Sequence, residues 1–358
     1  MRYTNILSEK SSLLEALQLL NTESTHGRAM TLFVCDESGR VSGTLTDGDI
    51  RRALISGLTT ESMAQQACNR HFKAIRTADE DRCVELLMEC RRDGIQLVPR
   101  LDADGRIMEI VDLRVTHNRL PVRAVLMAGG KGERLRPMTL SRPKPLLQIE
   151  GKAIIDYNIE ALAAAGVKDI TVCTRYLAEQ IEEHFSVPVC GVKVKCIREV
   201  NPLGTIGALS LLSTPSDGIT TLVMNSDLLT SISYEDMYLE HKRRDAAVTI
   251  AAVPYQVSVP FAILETDEKH PELVTGLTEK PSYSYYANAG IYMLESRVIN
   301  CMEENVRVDA PELIEEEIKR GGRVTYFPIR GTWLDVGTPT DFRQACELMR
   351  HHRNLGQY

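Results

Sequence analysis

Lys131, Arg134, Arg136, Arg142 and Lys144 set five cations within fourteen residues, against one acid, Glu133. They follow the apolar run AVLMA, residues 124–128, and are interleaved with Gly129, Gly130 and Gly132. Glycines admit positive φ and close backbone approach, so their N–H groups can line a concave anion nest. Pro143 and Pro145 bracket Lys144 and stiffen its backbone, which holds its ammonium in place. The chemistry suited to such a set is phosphate handling, in which positioned cations and amides stabilise charge developing during group transfer. A solvated basic loop is the alternative; the coincidence of glycines, prolines and cations directly after a strand argues against it. A Walker loop would need GxxxxGK[ST] after this strand, and a dinucleotide fingerprint would need a third glycine where Leu135 stands.

The elements that must carry this loop alternate in type. From Arg123 onward the sequence predicts strands at AVLMA, DITVCT, VKVKCI, TTLVMNSD, AAVTIAAV, NAGIYML and VTYFPI. Among them it predicts helices at AIIDYNIEALAAAG, LAEQIEEHF, TIGALSLL, EDMYLEHKRRD and APELIEEEIKRG, with Gly166 stopping the first. That order predicts an open, mostly parallel α/β sheet, whose ligands bind beyond the carboxyl ends of the strands. The glycine loop, Asp227 and Asp335 all follow apolar strand-like runs, so they are expected to converge there. Either acid alone reads as a turn or helix-cap residue.

Upstream lies an internal repeat. TLFVCDESGRVSGTLTDGDIRRAL and IQLVPRLDADGRIMEIVDLRV each hold an apolar strand, an acidic turn ending in Gly-Arg, and a second strand, with Gly39 and Gly105 66 residues apart. Helix-like segments, SLLEALQLLN and DEDRCVELLMECRRDG, precede them. Residues 1–120 therefore read as two αβ copies, about 1–58 and 59–120, which pack as a pair because one copy alone buries little. The polar stretch RVTHNRLPVR, punctuated by Pro121, puts the boundary near residue 120, before a second domain over residues 121–358.

Composition narrows the function. A formal charge of 42 − 49 = −7 argues against a general nucleic-acid or anionic-membrane surface. No apolar run approaches the ~18 residues of a membrane span, and MRYTNILSEK lacks the apolar core of a signal peptide. Nine scattered cysteines without a CxxC pair fit reduced thiols, so the expected compartment is the cytosol. The eight histidines are dispersed, and the adjacent pair His351-His352 reads as solvated, so no structural zinc is expected.

The repeats resemble cystathionine-β-synthase-type (CBS) domains, on VCDESGRVSGTLTDGDIRRAL with Thr46 and Asp49 closing the first copy. The resemblance implies that this Thr-x-x-Asp turn holds the ribose and phosphate of an adenine nucleotide. The second copy lacks a Thr/Ser-x-x-Asp after RIMEIVDL. A purely structural or dimerising pair is the other reading, and for Asp49 a helix N-cap before IRRAL suffices.

The second domain resembles the sugar-1-phosphate nucleotidyltransferases. GGKGERLRP and PKP are followed in order by NPLGTIGAL, VMNSD, TEKP, NAGIYML and WLDVGTPTDF, over roughly residues 123–345. The resemblance implies a Rossmann-like fold with a mixed, mostly parallel sheet. It implies the joining of a nucleoside triphosphate to a sugar 1-phosphate with release of pyrophosphate. The attacking phosphate is already ionised, so positioning and charge stabilisation suffice. Carried over residue by residue, Arg134 supports the leaving pyrophosphate and Lys144 the transferred phosphoryl group. Ala128, Gly129, Gly130, Lys131 and Gly132 hold the triphosphate. Glu199, Pro202, Leu203, Gly204 and Thr205 lie where the base is held. Lys280 grips the sugar phosphate, and Glu279 and Asn288 contact sugar hydroxyls, unless these three are ordinary loop and turn residues. Trp333 is expected to pack.

Asp227 and Asp335, 108 residues apart, offer two hard oxygen ligands to Mg²⁺, which takes one or two carboxylates plus phosphate oxygens. A small residue, Ser226, stands before the first where the family has Gly or Ala. The Glu199 carboxylate can accept from two neighbouring donors, as guanine offers, whereas uracil and thymine suit an amide better. GTP is therefore the expected nucleotide, with uridylyl or thymidylyl transfer as the alternative. The CBS fusion resembles guanylyltransferases for glucosamine 1-phosphate; mannose 1-phosphate is the runner-up. A homo-oligomer is expected. The rival class is a non-catalytic nucleotide-sensing regulator.

Overall fold

The computed structural model describes residues 3–76, 82–114, 120–212 and 218–354, and it divides into two compact units, Met1–Arg119 and Leu120–Tyr358. Residues 115–119 of the polar stretch, the predicted helix start at 79–81 and the side chain of His352 lie outside the described residues.

The first unit repeats one plan. Strand β1 (Ile6–Ser8), helix α1 (Leu13–Thr25), β2 (Thr31–Cys35), β3 (Val41–Thr46), α2 (Asp47–Ile55) and the single turn α3 (Ala64–Ala67) form the first copy. β4 (Ile75–Arg76), α4 (Cys83–Arg92), β5 (Leu97–Leu101) and β6 (Ile107–Asp112) form the second. In each three-stranded sheet the first strand is parallel to the second and the second antiparallel to the third. The likeness reaches the turns. Asp36 Oδ1 accepts from the N–H groups of Ser38 and Arg40, as Asp102 Oδ1 does from Asp104 and Arg106. Gly39 and Gly105 both adopt φ +81°. Helices α1 and α2 bury Leu13, Ala16, Leu20 and Ile50 against Leu32, Val34 and Leu45; Phe33 and Leu97 share a core where the copies meet.

Thr46, rather than Asp49, is the N-cap of α2. Its hydroxyl accepts from Asp49 N–H at 3.3 Å, and Asp49 Oδ2 accepts from Thr46 N–H at 2.9 Å and from its hydroxyl at 2.6 Å. Asp49 also pairs with Arg52. Thr46→Ala is expected to cost this unit about 1 kcal/mol, read as a lower urea midpoint.

The second unit is built on β7 (Val122–Ala128), α5 (Ile154–Ala164), β10 (Asp169–Thr174), α6 (Ala178–His184), β11 (Val194–Arg198), β12 (Thr220–Asn225), α7 (Tyr234–Arg243), β14 (Val248–Ser258), β17 (Ser282–Leu294), α8 (Ser296–Asn300), α9 (Ala310–Lys319), β18 (Val324–Pro328) and α10 (Pro339–Asn354). Short pairs join them: β8 (Gln148–Ile149) with β9 (Lys152–Ala153), β13 (Leu228–Thr230) with β19 (Trp333–Asp335), and β15 (Ile263–Thr266) with β16 (Val274–Thr278). The seven-stranded sheet runs β11-β10-β7-β12-β17-β14-β18. Only β17 is antiparallel to its neighbours, so the sheet is mixed and mostly parallel, as expected. The near-continuous apolar runs of β7 and β12 match strands covered on both faces.

Some expectations shift. GALSL, in the predicted helix TIGALSLL, is a 3₁₀ segment, Gly207–Leu211. VTIAAV, from the predicted strand AAVTIAAV, and NAGIYML are the first and second halves of longer β14 and β17, whose remaining residues are largely exposed and carry no apolar run. No helix among the described residues is long and apolar enough to cross a membrane.

Candidate active site

Four loops leave the carboxyl edge of the parallel strands at one level. Ala128 of β7 pairs with Thr174 of β10, Thr174 with Arg198 of β11, and Met127 of β7 with Asn225 of β12. The residues that follow are Gly129, Arg175, Glu199, and Ser226 with Asp227, and all line one cleft of about 600 Å³. Buried Ser226 fastens two of these ends, donating both its N–H (3.2 Å) and its hydroxyl (2.7 Å) to Met127 O.

Lys144 is the electrostatic centre. It is 9% exposed, forms an ion pair with Asp227 Oδ2, and its Nζ lies 3.6 Å from Asp335 Oδ1. The acids meet because β13 pairs with β19, setting Leu228 opposite Asp335, while Val336 N–H donates to Asp227 O at 3.1 Å. Gly132, at φ +61°, lets the loop close on Lys144: a Cβ there would lie 3.1 Å from Lys144 Cβ. Arg134 sits over Gly337, where a Cβ would approach its Nη2 to 3.0 Å.

Asp227 Oδ1 and Asp335 Oδ1 are both buried without a hydrogen-bond partner. Two orphaned carboxylate oxygens beside a cationic loop fit a hard divalent cation. The Asp335 carboxyl is held above the ordinary range by burial first and then by the Asp227 charge, with Lys144 and Arg134 opposing. A carboxyl raised by folding adds stability that is complete below the unfolded value, about 3.9, and is lost as pH rises through the folded value. At neutral pH the ionised group thus opposes folding of the metal-free chain. Asp335→Asn is expected to raise the Tm in EDTA at pH 7.5, with the gain vanishing near pH 4; a melt showing no gain would contradict this electrostatic account.

The wall that carries Glu199 is equally constrained. Glu199 is 5% exposed, and its carboxyl is pushed up by burial, against the Leu203 N–H and the Arg175 charge. Its Oε2 accepts from Leu203 N–H at 3.2 Å, and a Cβ on Gly129 would lie 2.8 Å from its Oε1. Pro202, Leu203, Gly204 and Thr205 line the same wall. Thr205 is engaged with the start of α9: its N–H donates to Asp309 Oδ1 and its hydroxyl accepts from Ala310 N–H, both at 2.8 Å.

Not every expected residue reaches the cleft. Ala128, Gly129, Gly130 and Gly132 line it, whereas Lys131 is exposed and outside its lining. Glu279 and Lys280 occupy the exposed turn between β16 and β17, 3.9 Å apart. Asn288 lies in β17, where its amide donates to Tyr292 Oη at 2.8 Å and its carbonyl accepts from Gly290 N–H at 2.9 Å. The structure does not bring these three to the cleft. Trp333 packs, donating to Ala289 O at 2.9 Å. Two lining arginines were missed, Arg175 and Arg307. Arg175 had a signal, standing one residue past the apolar run DITVCT, as Gly129 stands past AVLMA.

A CBS domain model matches residues 5–56. The mannose-1-phosphate guanyltransferase of Neurospora crassa is 32% identical over 231 residues, covering 62% of this chain and 62% of that protein. That of Saccharomyces cerevisiae is 32% identical over 237 residues, covering 63% and 64%. The chain thus spans somewhat over three fifths of the length of these curated relatives. HddC from Yersinia pseudotuberculosis, solved in complex with GMP-PN, aligns with a TM-score of 0.50 at 25% identity, over 64% of this chain and 99% of that one. The nucleotidyl transferase family model matches residues 123–351, which hold the whole cleft, and the chain belongs to that family.

Proposed function

We propose that the chain transfers GMP from GTP to a sugar 1-phosphate and releases pyrophosphate. The observation that carries this reading is Lys144 set between Asp227 and Asp335 beside a glycine loop, with one orphaned oxygen on each acid. Amides of the glycine loop bind the triphosphate, Arg134 supports the departing pyrophosphate, and Lys144 supports charge on the transferred phosphoryl group. Asp227 and Asp335 would hold Mg²⁺, which when bound neutralises phosphate charge and orients its oxygens. No general base is required, because the sugar phosphate is an anion. Lys280, Glu279 and Asn288 are proposed for the sugar side, although they stand apart from the cleft.

Glu199 supports guanine, since its carboxylate can accept from N1–H and N2–H₂. The guanyltransferase names of the relatives point the same way, and favour mannose 1-phosphate over glucosamine 1-phosphate. A matrix of GTP, UTP, dTTP and ATP against mannose, glucosamine and glucose 1-phosphates, read by pyrophosphate release, tests the reading. Turnover is expected with GTP and one of the first two sugars; comparable turnover of UTP would overturn the base assignment.

The first unit is proposed as a tandem CBS pair, supported by the strand plan that its second copy repeats. The polar atoms of Thr46 and Asp49 are engaged with each other and with Arg52, which supports a structural role for this turn. A melt that shifts with millimolar AMP or ATP would assign nucleotide sensing instead.

A further inference from the structure

Arg175 and Glu199 stand side by side with much of their hydrogen-bonding capacity unspent. Arg175 Nε lies 4.0 Å from Glu199 Oε2, close enough for Coulombic attraction and too long for a hydrogen bond. The carboxylate side chain is 4% exposed and the guanidinium side chain 27%. Among the described residues, Oε2 accepts from Leu203 N–H, Oε1 accepts from no group, and the Arg175 guanidinium donates to none. Burying both charges is costly unless further hydrogen bonds satisfy them. Both overlie Gly129: a Cβ there would sit 2.8 Å from Glu199 Oε1 and 3.5 Å from Arg175 Cβ. The missing side chain lets the Glu199 carboxylate lie against the loop backbone, and the two residues offer unspent donors beside an unspent acceptor to the cleft that both line.

We propose that Arg175 is a specificity-determining residue of the nucleotide site, donating to O6 and N7 of guanine while Glu199 accepts from N1–H and N2–H₂. The proposal rests on the guanylyl reading above. A guanidinium fork fits the adjacent O6 and N7 acceptors of guanine. The other bases misfit. Adenine would turn its amino group toward the guanidinium and its N1 lone pair toward the carboxylate. Uracil and thymine would set a carbonyl oxygen against the carboxylate on at least one side of N3–H. Charge reading by two side chains therefore rejects wrong bases by repulsion as well as by lost bonds.

The test is steady-state kinetics of the full chain with GTP, 7-deaza-GTP and UTP, on wild type, Arg175→Met and Arg175→Lys. Arg175→Met is expected to lower kcat/KM for GTP roughly 10- to 100-fold, mainly through KM. Its kcat/KM for UTP should fall much less, so the GTP:UTP ratio drops. Wild type should lose several-fold on 7-deaza-GTP, which lacks N7, and in Arg175→Met the two guanine nucleotides should become equal. Lys, which keeps the charge without the fork, should recover only part. A general disturbance of the fold would slow GTP and UTP alike and preserve the 7-deaza penalty, which would overturn the proposal. So would an unchanged GTP:UTP ratio in Arg175→Met. A wild-type enzyme indifferent between GTP and UTP would instead refute the guanylyl reading itself.

Discussion

Replacing Asp227 by Asn is expected to cut pyrophosphate release by at least about 10²-fold while leaving the far-ultraviolet circular dichroism unchanged. Asn keeps the shape of the side chain and removes its charge. That charge does two things here. It anchors the Lys144 ammonium, and its Oδ1 stands buried and unpartnered. An amide is a weaker ligand for a hard cation than a carboxylate, and it would present an N–H₂ donor where an acceptor is needed. Lys144→Ala is expected to produce a loss of similar size by a different route, since it removes positive charge from the phosphoryl position and leaves Asp227 and Asp335 to repel each other. Near-normal turnover in both variants would refute the catalytic assignments.

Gly204→Ala should be the most damaging small change to the wall that carries Glu199. Gly204 adopts φ +87°, and a Cβ there would lie 2.5 Å from Val308 O and 2.9 Å from Asp309 Oδ1. The first neighbour is backbone, so it cannot swing aside. Val308 O also accepts from the N–H groups of Ile206 and Gly207, and Val308 N–H donates to Leu203 O at 2.9 Å. Backbone strain and overpacking together suggest a cost of about 2–4 kcal/mol, or roughly 5–10 °C in Tm. The KM for GTP should rise as well, because Leu203 N–H fixes the Glu199 carboxylate. An unchanged melting curve would show that the turn can relax without its contacts to Val308.

These two positions differ in how far they could be read from sequence. Glycines and cations after AVLMA suggested a phosphate loop because each residue type has few structural uses in that combination. The parallel strands were legible for a similar reason: double-sided burial demands unbroken apolar runs. The meeting of Asp227 with Asp335 depends on two three-residue strands, too short to carry a period of their own. Position after a strand suggested convergence; the antiparallel pairing that delivers it left no mark. The clash surface around Gly204 is a tertiary property of a segment about a hundred residues away, and no local pattern encodes it. Thr46 and Asp49 exchanged roles because a capping box satisfies the helix end with both residues at once.

The reversed strand β17 has one more consequence. Its pairing with β14 slips between Ile250 and Ala252, near where β12 stops. Six further residue pairs, from Val253 with Ala287 to Ser258 with Ser282, overshoot the sheet as a two-stranded arm, about 20 Å long at ~3.4 Å per residue. Irregular pairing at its root is where such an arm bends most readily. Glu279 and Lys280 ride near its far end, so leverage magnifies any flexing at the root: a tilt of about 10° sweeps that tip through ~3–4 Å.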